Sequence, residues 1–268
     1  MTDDRAVDET TPQGPVIDLS VEVIGTPEEV WTAIATGPGI SSWFVPTTVD
    51  EHEGGATTSR FGEGPDMVVT GRVAAWDPPR RVVFDGPDGS GMAFEWLVEA
   101  SGRGSCLVRL VNSGFAGDDW QDEYDGMAEG WLLFLHNLQL HLIHFGGQTA
   151  SSALPTATWA VPRAAAWARL TEALGLPSSP APGEHVAISP DGGGHGLSGA
   201  VVQSDTWRIS VLLDAPTPGT AFLACEGTGG ETSVSVWLYL YGDRAPELAA
   251  DEAGRWTAWL ESHAPTRP

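Results

Sequence analysis

The stretch YDGMAEGWLLFLHNLQLHLIHF, residues 124–145, decides the fold. Tyr124, Met127, Trp131, Leu135, Leu138, Leu142 and Phe145 recur at three- and four-residue steps, which predicts a helix of about twenty residues. Leu133, Phe134, Leu140 and Ile143 make much of its opposite face apolar as well. A helix apolar on nearly every side must be covered on nearly every side. One face should lie over a sheet and the other should meet the rest of the chain. The run from Trp131 to Phe145 is too short to span a bilayer and is interrupted by His136, Asn137, Gln139 and His141, so it reads as a buried helix.

Upstream, the chain reads as strands. Ile17, Leu19, Val21 and Val23 alternate with Asp18, Ser20 and Glu22, the period of a half-buried strand. Thr26-Pro27-Glu28-Glu29 follows, an N-cap, a proline at the first helical position and acidic residues in the first turn. That helix turns Val30, Trp31 and Ile34 inward and stops at Gly37-Pro38-Gly39. A short second element holds Ile40, Trp43 and Phe44. Strands are then predicted over Val68–Trp76, Arg81–Asp85, Met92–Glu99 and Cys106–Val111, separated by Asp77-Pro78-Pro79, Gly86-Pro87-Asp88-Gly89 and Ser101-Gly102-Arg103-Gly104.

This first half resembles the SRPBCC superfamily, also called START-like, helix-grip or birch-pollen-allergen-like. The likeness is specifically to the branch named for activators of a heat-shock chaperone's ATPase, which has polyketide cyclase-like relatives. The resemblance is carried by Thr26-Pro27-Glu28-Glu29-Val30-Trp31, by Trp43-Phe44, and by Gly71-Arg72-Val73 leading to Pro78-Pro79-Arg80-Arg81-Val82-Val83-Phe84. Ser113-Gly114-Phe115 and Gly130-Trp131 complete it in the same order. It implies an α+β fold, a curved antiparallel sheet wrapped on a long C-terminal helix with a hydrophobic pocket between them. Such pockets hold lipid- or polyketide-like molecules, and some members are cyclases. Fold alone does not settle function.

Beyond Gly146–Pro155 the same order of elements recurs. A strand is predicted over Thr156–Val161 and a helix over Pro162–Leu174. Strands follow near Val186–Ile188, Leu197–Gln203, Trp207–Leu213, Ala221–Cys225 and Thr232–Tyr241, then a closing helix over Pro246–Ser262. This suggests a duplicated unit whose second copy has lost the Trp-Phe step and the Gly-Arg-Val hairpin. The expected organisation is a disordered acidic N-terminus (1–14), a START-like ligand-binding domain (15–146), a linker (147–156) and a degenerate START-like second domain (157–268).

The formal net charge is -23, from 36 acidic residues against 13 basic ones, all of them Arg. Such a surface repels nucleic acid and anionic lipid, so neither is expected as a partner. Without Lys there is no Schiff-base or P-loop lysine. Cys106 and Cys225 stand far apart, which fits a reduced cytoplasmic protein, and residues 1–14 lack the pattern of a signal peptide. No cofactor is expected.

Within the pocket implied by the resemblance, the candidate ligand-binding residues are Trp43, Phe44, Phe61, Phe84, Phe94, Trp96, Arg109, Phe115, Trp120, Trp131 and Leu135. Trp43, Phe44 and Trp120 are placed near its mouth. His136 and Glu95 are weak catalytic candidates as general acid or base, but strand alternation favours solvent for Glu95, as burial cost does for Arg109. His141 and His144 lack a third ligand, so no metal is expected. The acidic run Asp118, Asp119, Asp122, Glu123 and Asp125 reads as helix capping. Gly194-His195-Gly196-Leu197-Ser198-Gly199 fits a dinucleotide motif only by letters, because it leads into a strand. The expected function is binding of a small hydrophobic or aromatic molecule, with cyclase-like chemistry as an extension. The alternative is a protein-interaction or co-chaperone-like module with a protein partner. Ligand identity and oligomeric state are not readable.

Overall fold

Strand β1 (Ile17–Ile24) has the predicted alternation, with Ile17 and Val23 buried and Asp18, Ser20 and Glu22 turned outward. A computed structural model describes residues 15–62, 64–86, 90–102, 104–115, 120–189, 196–227 and 229–265, except the side chains of 120, 122 and 123. The expected N-terminal disorder therefore lies outside the described residues, as do Gly194, His195, Asp118 and Asp119 and the side chains of Asp122 and Glu123.

Helix α1 (Pro27–Ala35) begins with a capping box: Glu29 N donates to Thr26 Oγ1, and Thr26 N donates to Glu29 Oε2 at 2.8 Å. Helix α2 (Gly37–Ser41) follows at once, capped by Thr36. It lies so close to α1 that a Cβ on Gly39 would sit 2.0 Å from Thr32 O, which restricts this position to glycine. Then come β2 (Thr47–Val49), β3 (Ala56–Arg60), β4 (Val68–Asp77), β5 (Arg81–Asp85), β6 (Ala93–Gly102) and β7 (Ser105–Ser113). They form a seven-stranded antiparallel sheet in the order β1-β7-β6-β5-β4-β3-β2. Strands β2 and β3 were not predicted. Helix α3 (Trp120–Phe145) is 26 residues long, longer than its periodicity suggested. It shields the free edge of β1, with Gln139 Nε2 donating to Glu22 O and Tyr124 OH to Val16 O.

The second half comprises β8 (Ser151–Ala153), β9 (Thr156–Trp159), α4 (Arg163–Ala173), β10 (His185–Ile188), β11 (Leu197–Asp205), β12 (Arg208–Ala215), β13 (Gly219–Glu226), β14 (Thr232–Leu240) and α5 (Ala245–His263). Its sheet runs β10-β11-β12-β13-β14, and β8 and β9 share the outer edge of β14. As in the first sheet, the last strand of the meander pairs with the first strand of the unit, and a helix closes the chain. The duplicated helix-grip topology is thus present, with one meander strand fewer. The stretch expected as linker needs correction, because Ser151–Ala153 pairs with Leu238–Leu240. Pro155 separates β8 from β9, yet its carbonyl still accepts Val236 N at 3.1 Å. Gly196-Leu197-Ser198-Gly199 leads into β11 and opens no helix.

Strands β13 and β14 are buried on both faces. Leu223, Val236 and Leu238 pack with α4 and α5. Phe222, Tyr239 and Tyr241, on the other face, join the core of the first half. Four layers result: first sheet, helices α1–α3, second sheet, and α4 with α5. On the apolar second face of α3, Leu133, Phe134 and Leu140 are buried, with Phe134 stacked on Trp237 of the second sheet, whereas Ile143 stays exposed.

Candidate functional site

A cavity of about 440 Å³ lies between the first sheet, α2 and α3. Its floor is aromatic. Trp43 is 1% exposed, and its Nε1 donates to Ala33 O at 2.8 Å. Trp43 meets Trp96 edge to face at 5.6 Å, Trp96 meets Trp131 at 5.6 Å, and Trp131 stacks on Phe44 at 5.3 Å. Phe44 leads outward to Phe61, 5.7 Å away and 40% exposed. Trp131 is fixed by Nε1 donating to Oδ1 of the fully buried Asn112, whose Nδ2 donates to Ala93 O. With the indole donors of Trp43 and Trp131 bonded within the protein, these two rings offer a ligand mainly their faces and edges.

The opposite wall is made by β3 and β4. Thr57, Ser59, Val69 and Gly71 line it, with Thr57 paired to Gly71 and Ser59 to Val69. Ser59 Oγ and Thr47 Oγ1 are 3.0 Å apart and form a hydroxyl pair beside the aromatic floor. Gly71 has no alternative here, since a Cβ would meet Asp85 O at 2.2 Å and Thr57 Oγ1 at 3.0 Å. Among the described lining residues Asp85 is the only ionisable one. Its Oδ2 accepts Nε and Nη2 of Arg72, both at 3.0 Å, and with Val82 and Phe84 facing inward, strand alternation turns this pair outward. The cavity interior is therefore apolar, with neutral hydroxyls on one side.

Seven of the eleven residues expected at the site line this cavity: Trp43, Phe44, Phe61, Phe84, Phe94, Trp96 and Trp131. Trp43 belongs to the floor and not to the mouth. Phe115 and Leu135 are not lining residues. Phe115 packs on Tyr124 at 5.3 Å, and Leu135 is buried in the core. Arg109 is on the outer face of the first sheet, bonded to Asp18, whose carboxyl it holds below the usual range. The side chain of Trp120 lies outside the described residues. Sequence reasoning missed Ile34, Ile40, Thr47, Thr57, Ser59, Met92 and Met127; only the weak Thr57/Ser59 alternation could have signalled that wall.

The catalytic candidates are not in the cavity. Glu95 pairs with Arg81 on the outer face. His136 points the other way, its Nε2 3.1 Å from Ser210 Oγ on β12 and its ring against Phe222, and burial lowers its pKa. His141 is buried against Tyr241, with its pKa lowered by burial to about 4. Among the described residues no cluster of His, Cys, Asp and Glu is arranged to hold a metal. No helix of the described residues is long and apolar enough to cross a membrane.

Residues 25–142 match the family model described as Activator of Hsp90 ATPase homolog 1-like protein, which is of the SRPBCC type. No curated protein matches the chain. Similar solved structures include the Aha1 dimer from Colwellia psychrerythraea, at 18% identity and TM-score 0.43 over 50% of this chain and 99% of that one. The di-domain ARO/CYC BexL from the BE-7585A biosynthetic pathway is similar at 17% identity and TM-score 0.44, over 95% of this chain and 100% of that one. CalU16 from Micromonospora echinospora is similar at 21% identity and TM-score 0.40, over 49% and 68%. Likeness at this level says nothing of ligand or activity.

Proposed function

We propose that the N-terminal half, an SRPBCC-type domain of the Hsp90-ATPase-activator family, binds one small, neutral, largely planar molecule in the cavity between its sheet and α3. The observation that carries this is an aromatic-floored space of about 440 Å³ left unfilled by side chains, within the range of small-molecule sites. Ring faces on one side suit a flat apolar body, and the Thr47, Thr57 and Ser59 hydroxyls opposite suit one polar edge. An ionised ligand would lose hydration and gain no counter-charge there, which disfavours it. Binding, with orientation of a bound ring, is the core activity, and a cyclase-like step would need proton transfer from groups other than His136 or Glu95. We assign residues 15–146 as the ligand-binding unit and 151–268 as its degenerate copy, in which Trp159, Trp256 and Trp259 join the core that packs α4 and α5 on the second sheet. An open cavity counts against a purely protein-interacting role, which would have a filled one.

The test is native mass spectrometry of freshly purified protein for a co-purified molecule, then fluorescence titration with the neutral probe N-phenyl-1-naphthylamine. Met127 lines the cavity from α3, so Met127→Trp should narrow it and weaken probe binding while the fold is retained. Wild-type affinity in both Met127→Trp and Phe44→Ala would remove the cavity as the site.

A further inference from the structure

The walls of the cavity are held from the far side of α3. Ser42 and Trp43 follow α2, and Trp43 and Phe44 project from this short segment into the cavity. Ser42 is fully buried, and its Oγ donates to Pro38 O and accepts Ala150 N at 3.0 Å. Its carbonyl accepts the hydroxyl of Tyr241 at 3.0 Å, a contact between residues 199 positions apart. The hydroxyl has one proton, used on Ser42 O, so His141 Nδ1, 2.9 Å away, carries hydrogen and donates to Tyr241 Oη. Phe145 stacks on the Tyr241 ring at 3.9 Å and sets its position.

A second tether runs one residue on. Trp43 O accepts Asn137 Nδ2 at 3.0 Å, and Asn137 Oδ1 accepts Thr220 Oγ1 at 2.9 Å. Asn137 and Thr220 are both fully buried. The Thr220 hydroxyl thus fixes which way the amide points, and the amide fixes the Trp43 carbonyl. Both tethers start in the second half, at Thr220 on β13 and at Tyr241 just after β14, and neither residue touches the cavity.

We propose that the second half is a working part of the binding site: Thr220, through Asn137, and Tyr241 directly are positioning residues that hold the Ser42–Trp43 backbone and so set the spacing of the aromatic floor. The proposal rests on the cavity being the ligand site. Thr220→Val leaves Asn137 Oδ1 without its Thr220 bond and Tyr241→Phe leaves Ser42 O and His141 Nδ1 without their Tyr241 bonds, losses that correspond to a change of about five-fold or more in an equilibrium.

The full-length protein is titrated with N-phenyl-1-naphthylamine as wild type, Thr220→Val, Thr220→Ser, Tyr241→Phe and Leu223→Ala. Leu223 lies on the other face of the second sheet, against α4 and α5, and serves as a control for general loss of stability. Weakening of about five-fold or more is expected for Thr220→Val and Tyr241→Phe, with Thr220→Ser restored to near wild type and Leu223→Ala unchanged. Wild-type affinity in both hydroxyl deletions, or equal weakening in Leu223→Ala, would overturn the proposal. The same variants carrying 5-fluorotryptophan separate this outcome from failure of the binding assignment. The Trp43 fluorine resonance, assigned by Trp43→Phe, should move in Thr220→Val and Tyr241→Phe but not in Leu223→Ala, whether or not the probe binds. A resonance that stays in place refutes the positioning role by itself.

Discussion

Replacing His141 by Asn isolates a deeply buried imidazole that ties the two halves together. Asn can present an N–H near the place of Nδ1, so the bond to Tyr241 Oη is kept while the titration is removed. Burial holds His141 in the folded protein at about 4, against 6.5 in an unfolded chain. The unfolded state therefore binds more protons between those values, and stability is lost as pH falls from about 6.5 towards 4. For the wild type this amounts to about 2 kcal/mol at pH 5 relative to pH 8, from this group alone. Other titrating groups, including His136 and the many carboxylates, are present in both proteins and cancel in the difference. Urea unfolding of wild type and His141→Asn at pH 8 and pH 5 gives that difference directly. The wild type's advantage should shrink by about 2 kcal/mol at pH 5, or turn into a disadvantage. A difference that stays constant between the two pH values would refute the buried neutral His141.

Several other changes can be forecast. Phe61→Ala trims a half-exposed ring at the mouth, so probe affinity should fall several-fold while stability moves by less than about 1 kcal/mol; titration and melting curves check the two separately. His136→Ala should leave probe affinity at the wild-type value in the same titration, because the ring faces Ser210 and not the cavity. Glu252 is 2% exposed, with Oε1 bonded to Arg255 Nη1 at 2.6 Å and its pKa already raised by burial. Arg255→Ala should therefore cost about 3 kcal/mol in denaturant unfolding, and Glu252→Gln clearly less. Residues 1–146 alone would expose the α3 face now covered by Phe222, Tyr239 and Tyr241, so that fragment should self-associate on size exclusion where the full chain does not.

How far the sequence was legible depends on what each side chain packs against. The strands around Val82, Val98, Val108 and Leu110 announced themselves because apolar residues there alternate against a solid core. The strand Ala56–Arg60 did not, since its inward residues are Thr57 and Ser59, which face a cavity and need not be apolar. Ser151–Ala153 was hidden for a related reason, three small residues completing an edge already fixed by β14. On α3 the periodicity placed Trp131 and Leu138 correctly as buried, but a helix apolar all round cannot say which side meets which partner. Hence His136 could be imagined in the pocket although it faces the second sheet. Phe115 and Leu135 were identified as buried but not as ordinary core, because hydrophobicity reports burial and not the presence of empty space beside it.

The contact between Tyr241 and Ser42 has a temporal side. A ribosome extending the chain at about 5–20 residues per second would take about 5–20 seconds to pass from the end of α3 to Tyr241. Over that interval the helix can dock on the first sheet, but its other face, with His141 still lacking Tyr241 and Asn137 still lacking Thr220, waits in water. The nascent protein spends that time with an amphipathic surface on display. The cavity wall would reach its final shape only after the last strand has been made.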